Sequence, residues 1–115
     1  MKKISVIVPC YNEEDVIENF YEELKDVLSK IKDYTFELLF INDGSKDKTL
    51  DLLKRMKVNN MNMRIVSFSR NFGKEAAIYA GLENSTGDLV VVMDADLQHP
   101  PKKILEMISG IEERF

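Results

Sequence analysis

Apolar positions along this chain follow two alternating patterns. Short runs of β-branched and aliphatic residues at 4–9, 36–41, 65–68 and 90–92 predict four strands. After the first run, Val16, Ile17, Phe20, Tyr21, Leu24, Val27, Leu28 and Ile31 recur at the three-to-four spacing of one buried helical face. Asn12 is placed to cap that helix, with Glu13, Glu14 and Asp15 complementing its positive end. A second helix carries Leu50, Leu53 and Met56, with Ser45 or Asp47 as its cap, and a third runs from about Lys74 to Leu82. Gly87 turns the chain into the fourth strand, and Pro101 suits the first turn of a last helix bearing Ile104, Leu105, Ile108 and Ile111. Strands separated by helices imply right-handed crossovers. The predicted class is therefore α/β, a Rossmann-like parallel sheet with helices on both faces. Val90-Val91-Val92 is apolar and uninterrupted, as expected of a strand buried on both sides.

Three of these strands end in polar clusters: Tyr11-Asn12-Glu13, Asn42-Asp43-Gly44-Ser45 and Asp94-Ala95-Asp96. In a parallel sheet those ends share one edge, where open α/β sheets bind ligands. Strand residues advance by about 3.3 Å and alternate faces, so the carboxylates of Asp94 and Asp96 can lean the same way. Two hard oxygen ligands at one point suit Mg²⁺ or Mn²⁺ carrying a phosphate better than Zn²⁺. The plainer reading is a pair of solvated loop acids.

Composition narrows the choice. The 115 residues suffice for one domain, and 44% hydrophobic with 31% charged residues describes a globular chain. No apolar run approaches the ~20 residues of a membrane helix. The single Cys10 excludes an internal disulfide and a cysteine-based zinc site, and it fits a reducing, cytoplasmic setting. A net charge of −4 argues against a nucleic-acid surface. It also bears on a phosphate ligand: a carboxylate about 4 Å from a phosphate charge is repelled by ~4 kcal/mol at an effective dielectric of 20, so a cation must intervene.

Taken together, the chain resembles glycosyltransferase family 2, the nucleotide-sugar-dependent enzymes of GT-A fold. The matching segments are Val6-Ile7-Val8-Pro9-Cys10-Tyr11-Asn12-Glu13-Glu14, Ile41-Asn42-Asp43-Gly44-Ser45-Lys46-Asp47-Lys48-Thr49 and Met93-Asp94-Ala95-Asp96-Leu97-Gln98-His99-Pro100-Pro101. Ser69-Arg70-Asn71-Phe72-Gly73-Lys74-Glu75-Ala76-Ala77, followed by Ala80-Gly81-Leu82, is similar to the polyprenyl-phosphate branch of that family. The resemblance implies that Pro9, Tyr11 and Glu13 line a nucleotide pocket together with Ile41 and Ala95, and that Asp43 accepts hydrogen bonds from the base. It implies further that Asp94 lies near the ribose and diphosphate, and that Asp96 binds Mg²⁺ or Mn²⁺ with Asp94 and Gln98 as additional oxygen ligands. The family pattern has two acids before Gly44; here the first is Asn42.

The donor implied is a nucleotide-diphosphate sugar, UDP- or GDP-linked, and the acceptor a polyprenyl phosphate, with inversion at the anomeric carbon. Residues 1–115 would then be the N-terminal, nucleotide-sugar-binding part of a longer protein on the cytoplasmic face of a membrane. The catalytic base is expected beyond Phe115, and none is assigned. Arg70 and Lys74 are candidate donor-site cations, since an acidic chain needs a counter-charge for a diphosphate.

Each candidate has a plainer role. Tyr11 can cover the sheet edge, Glu13 can be a first-turn acid, and Asp43-Gly44-Ser45 can be a turn and cap. Arg70 and Lys74 can be solvated, His99 a loop residue and Cys10 a small apolar filler. Met61 and Met63 carry no functional reading. Two other classes compete: a nucleotidyltransferase and a non-catalytic acidic regulatory domain. Neither G-x-G-x-x-G nor G-x-x-x-x-G-K-[ST] is present to support the first. Within the family reading, a saccharide acceptor is the alternative to a polyprenyl phosphate.

Overall fold

A computed structural model describes residues 2–60 and 62–95. The elements run β1 (Lys2–Cys10), α1 (Ile17–Ser29), β2 (Tyr34–Asn42), α2 (Thr49–Lys57), β3 (Met63–Ser67), α3 (Lys74–Asn84) and β4 (Leu89–Val92). The strands form one parallel sheet in the order β3-β2-β1-β4. The chain therefore winds outward from β1 on one side and returns to its other side, which opens a switch point between β1 and β4.

Side chains alternate across the pleat, and two cores result. Ile4, Val6 and Val8 of β1, with Leu38 and Phe40 of β2, pack against Ile17, Phe20 and Leu24 of α1 and Leu53 of α2. Ile7, Leu39 and Ile41 point the other way and pack against Ala77 of α3. Helices thus cover both faces, as the pattern predicts. Gly81 is what lets α3 come so close: a Cβ there would lie 2.5 Å from Cγ2 of Ile7. The α1 stripe also holds, with Ile17, Phe20, Tyr21 and Leu24 buried and Val27, Leu28 and Ile31 partly so.

One strand departs from expectation. Val91 is 5% exposed, but Val90 and Val92 are 37% and 36% exposed. β4 is one of the two edge strands among the described residues, and α3 packs chiefly over β1 and β2, so none of the described helices covers the α3-side face of β4. The expected last helix lies outside the described residues, as do Asp96, Gln98 and His99. Among the described residues, no helix is long and apolar enough to cross a membrane.

At the N-terminal edge, a buried Glu37 ties the strands together. Its carboxylate accepts from the Ser5 hydroxyl at 2.6 Å, Arg64 Nη1 at 3.0 Å, and the Thr86 N–H and hydroxyl at 2.8 and 3.0 Å. Burial alone would raise its pKa; these four donors outweigh it and bring the group from 4.5 down to about 2. The acid at the floor of the sheet is thus a fastener, at the opposite end of the strands from the three polar clusters.

Candidate functional site

The loops after β1 and β2 are stitched to each other by side chain-to-backbone bonds. Asn12 sits at φ 53°, the left-handed region that asparagine tolerates. Its Oδ1 accepts from the Lys46 N–H at 2.8 Å, and its own N–H donates to Ser45 Oγ at 2.9 Å. Asn12 therefore does not cap a helix. α1 starts only at Ile17, after a turn closed by the Glu13 carbonyl, which accepts from the N–H groups of Val16 and Ile17. The Glu13 N–H donates to Thr49 Oγ1 at 2.8 Å, and the Glu14 N–H to Asp47 Oδ2 at 3.1 Å. Asp47 also accepts from the Thr49 N–H and hydroxyl at the head of α2, which makes it, rather than Ser45, the acceptor at that helix start. Burial would raise the Asp47 pKa, but the bonds from Thr49 and Glu14 hold it below the ordinary value.

Asn42 is buried and bridges two elements: its Nδ2 donates to Ser67 Oγ at 3.0 Å and its Oδ1 accepts from the Ser45 N–H at 3.2 Å. Position 42 is thus a brace. An aspartate there would accept from both the Ser67 hydroxyl and the Ser45 N–H, so either residue type can satisfy the geometry. Asp43, 4% exposed, clasps the loop before α3. Oδ1 accepts from the Phe72 N–H at 2.8 Å, while Oδ2 accepts from the Gly73 N–H and from Asn71 Nδ2, both at 3.1 Å. A carboxylate has about four acceptor sites, so roughly one remains for a ligand. Gly44 completes the socket. It has φ +69°, and a Cβ there would stand 2.1 Å from the Arg70 carbonyl carbon, so only glycine lets the loop settle on this turn.

These elements enclose a cleft of about 230 Å³ at the switch point. Pro9, Cys10, Tyr11 and Glu13 line it from β1 and the turn beyond, Asp43 from β2, Lys74 from α3, and Asp94 and Ala95 from the end of β4. Tyr11 is 40% exposed at this edge, its ring available to a planar partner. The Cys10 thiol is the opposite case: burial first, and then the Glu13 charge, push its pKa far above the ordinary thiol range, as suits an inert filler. Lys74 Nζ sits 2.7 Å from Oδ1 of Asp94 and 2.9 Å from Oδ2, so one ammonium spans both carboxylate oxygens.

Seven sequence-predicted residues, Pro9, Tyr11, Glu13, Asp43, Lys74, Asp94 and Ala95, meet in this one cleft. Two predicted residues do not. Ile41 is fully buried against Ala77, because its position in the pleat turns it into the smaller core. Arg70 is exposed and lies over the Phe72 ring, 4.7 Å from its centroid, which draws the guanidinium to the ring face instead of the cleft. Sequence reasoning missed Phe72 and Gly73 as partners of Asp43, since backbone donors leave no mark in residue type, and Asn71, whose side chain reaches Asp43 only once the loop before α3 has folded back on β2.

Among the described residues, no group of three or more His, Cys, Asp or Glu side chains is disposed to hold a metal. Mg²⁺ does not require one: it is commonly held by one or two carboxylates, with waters and substrate phosphates completing its shell. Asp94, a hard oxygen donor lining the cleft and already drawn to a cation, fits that arrangement.

A parallel α/β sheet with a ligand cleft at its switch point is the nucleotide-binding architecture of the GT-A glycosyltransferases, and solved structures of that class superpose on it. The mannosyltransferase PcManGT from Pyrobaculum calidifontis, in complex with GDP-Man and Mn²⁺, matches with a TM-score of 0.76 and 28% identity, over 90% of this chain and 30% of that one. S. aureus TarS 1-349 in complex with UDP-GlcNAc matches with a TM-score of 0.70 and 28% identity, over 97% and 31%. Glycosyl transferase family 2 matches residues 5–115, and the chain belongs to that family. It is 44% identical to the bactoprenol glucosyl transferase of Shigella phage SfX, over 93% of this chain and 35% of that protein. The chain spans about a third of the length of the curated relatives it matches.

Proposed function

We propose that this chain is the N-terminal, donor-binding part of a glycosyltransferase that moves a sugar from a UDP- or GDP-sugar to a polyprenyl phosphate, with inversion and with Mg²⁺ or Mn²⁺. The observation that carries the reading is the cleft itself, where side chains of different chemistry converge from four separate elements. The Tyr11 ring offers a face to the base. Asp43 retains about one acceptor site, enough for a single imide N–H of uracil or guanine. Asp94 and Lys74 form the polar end, matched to ribose and diphosphate.

Asp94, with Asp96 and Gln98 from beyond the described residues, would hold the metal. When bound, a divalent cation neutralises the charge that builds on the departing diphosphate. Lys74 adds a second positive charge on the same side of the cleft. A polyprenyl phosphate acceptor is already anionic and needs little deprotonation to attack. The likeness to the phage bactoprenol glucosyl transferase supports that acceptor over a saccharide, and a polyprenyl acceptor would put the whole protein to work at the cytoplasmic face of a membrane.

Calorimetric titration of the chain with UDP-glucose and GDP-mannose, with and without Mn²⁺, tests the proposal. Metal-dependent binding of one of them is expected. A folded chain that binds neither at any Mn²⁺ concentration would reject it in favour of a non-catalytic domain. Asp96→Asn, which removes charge but little volume, should leave nucleotide affinity insensitive to metal. Full metal dependence in that variant would remove Asp96 from the ligand set.

A further inference from the structure

The cleft already contains a cation. Lys74 Nζ lies within 2.9 Å of both oxygens of Asp94, the position a hard metal ion would take on that carboxylate. Among the described residues lining the cleft, Lys74 is the one basic side chain, against the carboxylates of Glu13, Asp43 and Asp94. We propose that Lys74 is a counter-ion switch. In the empty cleft its ammonium neutralises Asp94 and keeps a lone divalent cation out; when a nucleotide diphosphate brings the cation, Lys74 passes from the carboxylate to a phosphate oxygen. The inference rests on the donor-binding reading above and adds the order in which charges change partners.

Three features suit Lys74 to this exchange. The ammonium is a point charge on a flexible four-carbon stem, so it can change partners without backbone motion, which the planar fork of an arginine does less readily. Its side chain is 58% exposed and that of Asp94 26%, so the pair is wet enough to break. The backbone behind it is fixed, because Asp43 holds the N–H groups of Phe72 and Gly73 immediately before α3. Only the side chain therefore has to move. No bond is made or broken, and the charge at Asp94 stays balanced in both states.

The consequence is a pair of effects with opposite sign. Lys74→Met keeps most of the length and removes the charge. It should tighten binding of Mn²⁺ alone by about two- to fivefold, the upper part of the range set by a partly exposed ion pair. In the presence of Mn²⁺ the same variant should bind UDP or GDP about tenfold more weakly, since a charge-assisted contact to phosphate is lost. Lys74→Arg should keep the weak binding of Mn²⁺ alone. The measurement is free Mn²⁺ by electron paramagnetic resonance, titrated against each protein with and without UDP or GDP, with urea unfolding to show that each variant is folded. Equal or weaker binding of Mn²⁺ alone by Lys74→Met overturns the switch, even if nucleotide binding is weakened. Tighter binding of Mn²⁺ by Lys74→Met with no nucleotide bound by either protein would instead keep Lys74 as guardian of Asp94 and reject the donor-binding reading with its phosphate half.

Discussion

Asp43 combines a proposed contact to the ligand with an observed role in the fold. The resemblance to family 2 implies a contact with the base, whereas about three of its four acceptor sites are taken by Asn71, Phe72 and Gly73. Asp43→Asn exchanges one acceptor oxygen for an N–H₂ that must face backbone donors, so both stability and affinity should fall. Bonds to a buried charged acceptor are worth roughly 1.5–3 kcal/mol each, and with partial rearrangement a loss of about 3 kcal/mol is expected in urea unfolding. Unchanged stability with weakened nucleotide binding would mean that the clasp carries no weight and that Asp43 acts on the base alone. That residue 43 lines the cleft was legible in the sequence, because it follows a predicted strand at the edge where the other polar clusters gather. Its protein partners were not, since two of them are main-chain N–H groups whose positions depend on how the loop before α3 lies on Gly44.

At the scale of elements, periodicity identified the strands and the buried face of α1, because burial is decided by pleat and helical repeat. It failed where tertiary bonds compete with local preference. Asn12 is a good capping residue by type, yet it ties down Lys46 while α1 begins later at Ile17. Val90 and Val92 have the composition of a covered strand and are exposed, because coverage of β4 depends on where α3 lies. The close fit of α3 on β1 rests on Gly81, and two effects oppose each other there. Gly81→Ala gains about 1 kcal/mol of helix propensity. It also places a methyl 2.5 Å from Cγ2 of fully buried Ile7, a β-branched side chain with little room to turn. Overpacking of that kind costs roughly 1–3 kcal/mol, so net destabilisation of about 1 kcal/mol is expected, read from the urea midpoint. A gain in stability would show that α3 is free to shift away from the sheet.

Across the whole molecule the two edges of the sheet divide the work. The N-terminal edge is fastened by Glu37, which joins β1, β2, β3 and the turn before β4 through Ser5, Arg64 and Thr86. Its pKa is near 2 folded and 4.5 unfolded, so the unfolded chain binds the proton first as pH falls. The stability from this charge is whole above about pH 4.5 and is lost as pH drops towards 2. The shift corresponds to a contribution on the order of 3 kcal/mol. Glu37→Gln should lower stability at pH 7 and flatten its decline between pH 4.5 and 2; an unchanged acid limb would assign the acid sensitivity to other carboxylates. The C-terminal edge carries the cleft, where the proposed nucleotide diphosphate would lie across the ends of β1, β2 and β4. Amide chemical shifts of the ¹⁵N-labelled chain, titrated with UDP or GDP and Mg²⁺, test that placement most directly. The largest changes should fall at Tyr11, Glu13, Asp43, Lys74, Asp94 and Ala95, with Ser5, Glu37 and Thr86 unmoved. Changes centred on the Glu37 edge, or none with either nucleotide, would contradict it.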